Sequence, residues 1–137
     1  MLDPTDHQIL AVLTKNARLQ WREIGEQVHL TGQAVANRIR RLEALGVIKH
    51  YTVALDHQKL AKTVTAYVTV FMKTTDHASF HQFIGAQDVI IAADRISGEG
   101  CYLLKVVVAS NDELNGFLNR LLQFGNYRVN LSIGTLK

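Results

Sequence analysis

WREIGEQVHLTGQAVANRIRRLEAL, from Trp21 to Leu45, decides how this chain is read. Trp21 to Val28 carries Ile24 and Val28 four residues apart, and Gly32 to Leu45 carries Val35, Ile39 and Leu42 at i, i+4 and i+7. Each segment is therefore a short helix with one apolar stripe. Between them His29-Leu30-Thr31-Gly32 leaves no room for a loop. Leu30 can plug a shared core, and Thr31 can cap the following helix through its hydroxyl. Two short helices joined this tightly make a helix-turn-helix.

Upstream, Asp3-Pro4-Thr5-Asp6 is a helix start. Asp3 can cap free N–H groups, Pro4 suits the first helical position, and Asp6 favours the positive end of the helix dipole. A first helix from Pro4 to Asn16 puts Ile9, Leu10 and Leu13 on one face, a third wall for the core, with His7, Thr14 and Lys15 toward water. Downstream, Gly46 stops the third helix, and Val47 to Leu55 reads as a strand with Val47, Tyr51, Val53 and Leu55 on one parity. Residues 1–50 form one domain, and residues 51–62 form a linking strand and connector.

From Thr63 the period changes to two. Val64, Ala66, Val68, Val70 and Met72 take one face of a strand, and Thr65, Tyr67, Thr69 and Phe71 the other. Asp76 can cap a helix striped by Phe80, Phe83 and Ile84, after which Val89–Ile96 and Tyr102–Ala109 read as strands joined at Gly98-Glu99-Gly100. Leu114, Phe117, Leu118, Leu121 and Leu122 mark a further helix ended by Gly125, and Tyr127, Val129, Leu131 and Ile133 alternate in a last strand. The order β-α-β-β-α-β over residues 63–137 predicts a ferredoxin-like sheet with both helices on one face. The fold class is α+β. The open face, with Tyr67 and Phe71, is expected to meet another copy of the chain in a homodimer.

Of 137 residues, 47% are hydrophobic and the mean hydropathy is +0.04, which suits packed cores rather than disorder. The single Cys101 excludes an internal disulfide. Met1-Leu2-Asp3-Pro4 has no basic, apolar leader, and no window approaches the roughly 18 apolar residues of a membrane span, so the expected location is the cytoplasm. The net charge of +3 is small, but it is unevenly placed. Residues 32–50 carry Arg38, Arg40, Arg41 and Lys49 against Glu43 alone.

Opposite the Val35/Ile39/Leu42 stripe, Gln33, Ala36, Asn37 and Arg40 share a face, with Thr31 at its head. Asn and Gln can bond adenine in pairs, Arg can fork onto guanine, and a small Ala allows approach to a thymine methyl. Arg41 and Lys49 are placed for phosphates. Any amphipathic helix can carry arginines, but a tight turn, a preceding short helix and a three-helix core make DNA recognition the stronger reading. Arg38, at the edge of the buried stripe, is expected in an ion pair with a neighbouring helix as readily as on DNA. The rival reading is a metabolite-binding or scaffold protein whose N-terminal helices make protein contacts.

His77 and His81, at i, i+4, could offer two nitrogens to a metal, but two ligands are not a site, and neither a metal nor a cofactor is expected. Gly98-Glu99-Gly100 lacks the third glycine of a dinucleotide fingerprint, and Cys101 has no activating partner in sequence. The chain does not read as an enzyme.

The whole chain resembles the leucine-responsive regulatory protein and asparagine-regulator (Lrp/AsnC) family. The matching residues are Leu2-Asp3 through Asp6, Ile9-Leu10, Asn16-Ala17-Arg18, Arg38 through Glu43 with Gly46-Val47-Ile48, and Gly98 through Tyr102 to Val106. The resemblance implies a double-stranded DNA partner and a C-terminal domain that forms dimers and often octamers. It also implies a small effector, usually an amino acid, bound around Ser97, Gly98, Glu99, Gly100, Cys101, Tyr102 and Ser132. The chain departs from the pattern at His29, where a turn glycine is common, and at Cys101, where an aspartate is usual. Without that carboxylate, a weak response to free amino acids is expected.

Overall fold

Asp3 and Asp6 cap each other at the head of α1 (Pro4–Lys15): the Asp6 N–H donates to Asp3 Oδ1 at 2.8 Å, and the Asp3 N–H donates to Asp6 Oδ2 at 3.0 Å. The computed structural model describes residues 1–137 as two units, Met1–Ala54 and Leu55–Lys137. In the first, α1 meets α2 (Trp21–Val28) and α3 (Gly32–Ala44) around buried Ile9, Ile24, Val28, Val35 and Ile39. Val12 and Leu13 complete the α1 stripe, whereas the expected Leu10 stands outside this cluster.

The joint between α2 and α3 is as short as the sequence requires. His29 takes the left-handed conformation that ends α2, at φ 58° and ψ 44°, a backbone that favours glycine. The Leu30 N–H donates to the Gly25 carbonyl at 2.9 Å, and the Thr31 hydroxyl accepts from the Ala34 N–H at 3.2 Å to start α3.

The strand expected over Val47–Leu55 does not form. Val47, Tyr51, Val53 and Leu55 are all exposed, and no strand of the chain pairs with them. Alternating polarity marks a face, but a strand also needs a ladder partner for its N–H and C=O groups. Tyr51 instead donates its hydroxyl to Glu43 at 2.7 Å. Partial desolvation and this carboxylate push its pKa up to about 12. Asp56 then caps a 3-10 turn, His57–Leu60.

The second unit is an antiparallel sheet ordered β2-β3-β1-β4, built from β1 (Val64–Met72), β2 (Ile90–Arg95), β3 (Tyr102–Val108) and β4 (Gly125–Leu131). With α4 (His77–Ala86) and α5 (Asn111–Leu121) between strands, the order is the ferredoxin-like β-α-β-β-α-β. Ala66, Val68 and Val70 of β1, and Tyr102, Leu104 and Val106 of β3, form one core with Phe80, Leu114, Phe117, Leu118 and Leu121. Ile133 lies past the end of β4, fully exposed. On the opposite face two aromatic rings sit beside cations: Lys105 Nζ lies 5.9 Å from the Tyr67 ring centre and the Arg128 guanidinium 5.5 Å from that of Phe71. No helix is long and apolar enough to cross a membrane.

Candidate nucleic-acid interface and effector loop

Burying Val35, Ile39 and Leu42 turns the opposite side of α3 outward. There Gln33, Asn37 and Arg40 are exposed and bonded to one another: Gln33 Nε2 donates to Asn37 Oδ1 at 3.1 Å, and an Arg40 guanidinium N–H donates to the same oxygen at 3.2 Å. The Arg40 guanidinium lies 5.2 Å from the ring centre of Trp21, at the start of α2. Thr31 and Lys49 are exposed at either side of the helix.

Ala36 does not belong to this face. It is fully buried, because α2 packs so closely along α3 that the arc left to solvent is narrower than the helical wheel allows. Arg41 is also tied inward: one N–H donates to Asp6 Oδ2 at 3.1 Å and another to the Met1 carbonyl at 2.9 Å. Arg38 makes the ion pair expected of it, twice, with Asp3 at 2.7 Å and Asp6 at 2.9 Å.

Asp6, fully buried, therefore does more than favour a helix dipole. It accepts from the Asp3 N–H and both arginines, and so ties the head of α1 to α3. The Asp3 amide and the two guanidiniums outweigh burial and hold its carboxyl below the ordinary 3.8; Arg38 and the Asp6 amide do the same for Asp3. A carboxylate with a depressed folded pKa stabilises the fold fully above the unfolded value and ceases to do so as pH falls through the folded one. Asp6→Asn should cost about 2 kcal/mol, below the range for a wholly buried pair because Arg38 and Arg41 keep contact with water. It should also flatten the acid loss of stability below about pH 4. Denaturant titration followed by Trp21 fluorescence checks both; an unchanged midpoint contradicts them.

In the second unit, Ser97 to Cys101 form the loop between β2 and β3, with Gly98 at φ +96°. Gly100 is pressed against β1, where a Cβ would meet Thr69 Cγ2 at 2.4 Å, and the Cys101 N–H donates to the Val70 carbonyl at 2.9 Å. Glu99 faces Arg128 at 3.6 Å, both exposed. Tyr102 does not line this loop. Its side chain is buried on the helix-covered face of β3, edge-on to Phe80, with its hydroxyl 2.7 Å from His77 Nδ1 and 2.9 Å from His81 Nε2. The two histidines thus converge on a core phenol.

Ser132 is also separated from the loop. Its N–H donates to the Thr65 carbonyl, five residues along β1 from Val70, which is roughly 16 Å at about 3.3 Å per residue. Antiparallel register forces this, since β4 runs back toward the start of β1 while the loop packs near its end.

Residues 2–43 match the AsnC-type helix-turn-helix domain, and residues 65–137 match the Lrp/AsnC ligand binding domain. The chain belongs to the Lrp/AsnC family. It is 48% identical over 136 residues to the HTH-type transcriptional regulator LrpB of Bacillus subtilis, covering 99% of this chain and 91% of that protein. Its fold superposes on Bacillus subtilis LrpC with a TM-score of 0.94 at 31% identity, covering 100% and 98% of the two chains. It also matches the regulator NMB0573 of Neisseria meningitidis, solved as a complex with L-Met, with a TM-score of 0.92, 24% identity and coverage of 100% and 93%. The Lrp/AsnC relatives are transcription regulators rather than enzymes, and this chain is a DNA-binding regulator of that kind.

Two contributors to the DNA-binding half escape the sequence reading. Trp21 reads as the head of a helix, and nothing in the spacing links it to Arg40 nineteen residues on. Gly25, inside α2, carries a usable signal: an internal glycine weakens a helix by about 1 kcal/mol against alanine, so its presence points to a packing need.

Proposed function

We propose that α3 enters the major groove, with Gln33, Asn37 and Arg40 meeting base edges and Thr31 and Lys49 meeting phosphates. The observation that carries this reading is the exposed, mutually bonded Gln33–Asn37–Arg40 face, set opposite the buried stripe that anchors the helix. Arg41 serves Asp6 first and adds positive charge nearby. Two chains, joined through their second units as a homodimer or a larger ring up to an octamer, present paired reading helices to repeated half-sites. The protein then works in the compartment that holds the DNA, the cytoplasm.

The second unit, similar to a ligand binding domain, is proposed to respond to a small metabolite, an amino acid being the chemistry suggested by the L-Met complex of NMB0573. Ser97 to Cys101 on one chain and Ser132 on another are the residues we assign to it. Cys101 offers no carboxylate for an ammonium group, and Glu99 is turned toward Arg128, so an acid at this loop does not define the ligand.

Selection of bound fragments from random DNA supplies the test duplex. Asn37→Ala and Arg40→Ala should each weaken binding to it by about 1 to 3 kcal/mol and relax base preference. Lys49→Ala should lower affinity equally on selected and scrambled duplexes and reduce the salt dependence. Unchanged specificity in both the Asn37 and Arg40 variants would remove α3 from the reading role.

A further inference from the structure

We infer that Trp21 sets the base preference of the reading helix: by stacking on Arg40 it maintains an array that shows DNA hydrogen-bond donors, so that α3 reads guanine. The inference rests on the assignment of α3 to the major groove. Arg40 has only donors, so the end of the Asn37 amide that it meets at 3.2 Å is the oxygen. Gln33 Nε2 donates to that oxygen as well, at 3.1 Å. A carbonyl oxygen has two lone pairs, and both are now engaged.

What Asn37 has left to offer is its NH2 group, and beside it stand the remaining N–H groups of Arg40. Adenine shows the major groove one acceptor, N7, and one donor, the N6 amino group, so pairing with it requires the Asn37 oxygen to be free. Guanine shows two acceptors, N7 and O6, and needs donors only. The array as folded therefore fits guanine. Turning Asn37 toward adenine would break its oxygen away from both Gln33 and Arg40, and the Trp21 ring holds Arg40 in place to keep that bond.

Trp21 is suited to this role because it is not spent on the core. It remains 45% exposed, yet the Arg40 guanidinium lies 5.2 Å from its ring centre, and a tryptophan face is the strongest aromatic partner for a cation. Trp21 is thus a positioning residue: it acts on the base through Arg40.

The test uses the full-length chain and the duplex selected from random DNA. Wild type should lose about tenfold or more in affinity when the half-site guanine at the position relaxed by Asn37→Ala is changed to adenine or 7-deazaguanine. Trp21→Leu should cut this guanine-over-adenine ratio about threefold to fivefold, while Trp21→Phe should keep most of it. Because a damaged fold would lower both affinities together, the ratio and its rescue by Phe separate positioning from stability. Trp21 is the chain's one tryptophan, and its emission in wild type should change on the selected duplex more than on the scrambled one. A wild-type preference for adenine at that position, or a ratio unmoved by Trp21→Leu, overturns the inference even if Asn37→Ala and Arg40→Ala lose specificity. If those two variants keep full specificity, the reading of α3 fails and this inference fails with it.

Discussion

Gly25→Ala should destabilise the first unit by about 2 to 3 kcal/mol and reduce specific DNA binding, although alanine is the better helix former. A Cβ at Gly25 would lie 2.3 Å from the Leu30 carbonyl oxygen, 3.2 Å from its carbon and 3.3 Å from the Thr31 carbonyl carbon. All three are backbone atoms, so no side chain can swing aside. The Leu30 N–H is also bonded back to the Gly25 carbonyl, and opening the turn to fit a methyl group would break that bond and shift the start of α3. Helix propensity pulls the other way by about 1 kcal/mol, so the sign of the measured change decides which effect governs. Denaturant titration by Trp21 fluorescence, with binding to the selected duplex, is the measurement. A variant as stable as wild type or more so would show that the turn yields at low cost.

Phe80→Ala is the corresponding lesion in the second unit, with an expected loss of about 3 to 5 kcal/mol. Phe80 is fully buried and sits at the centre of an aromatic cluster, 4.8 Å from Tyr102, 5.1 Å from Phe124 and 6.2 Å from Phe83 between ring centres. Removing the ring opens a cavity between α4 and the sheet. The edge-on partner of Tyr102 goes with it, loosening the phenol that His77 and His81 hold. Denaturant titration by far-UV circular dichroism should show the lowered midpoint, and a loss under about 1 kcal/mol would mean that the cluster can collapse onto the gap.

What the sequence made legible follows from which physical demands are local. Trp21–Val28 could be bounded because its stripe and the turn after it lie in adjacent residues, and the Thr31 and Asp76 caps because a cap bonds only two or three residues on. The β-α-β-β-α-β order was legible from alternation in Val64–Met72 and stripes such as Leu114–Leu121, although Leu122, expected in the same stripe, lies past the helix and is exposed. Demands set by distant chain were not legible. Ala36 is buried because another helix comes close, and Asp6 is an ion-pair hub because Arg38 and Arg41 arrive from far along the chain. Val47–Leu55 has the polarity of a strand, but no other strand of this chain pairs with it. In the candidate reading face, Gln33, Asn37 and Arg40 were visible from the wheel, while their shared oxygen and the Trp21 ring depend on geometry that no spacing rule contains.

The distance between Ser132 and the Ser97–Cys101 loop carries a consequence for how a ligand would be felt. A small molecule that touched both groups could not do so within one chain, because β1 holds them at opposite ends. It would be bound only where two chains meet, so its occupancy and the degree of assembly would be thermodynamically linked. Dilution would then weaken the ligand without altering any contact to it, and the ligand in turn would hold chains together at concentrations where they otherwise part. The regulator would read the product of metabolite level and its own abundance, rather than the metabolite alone.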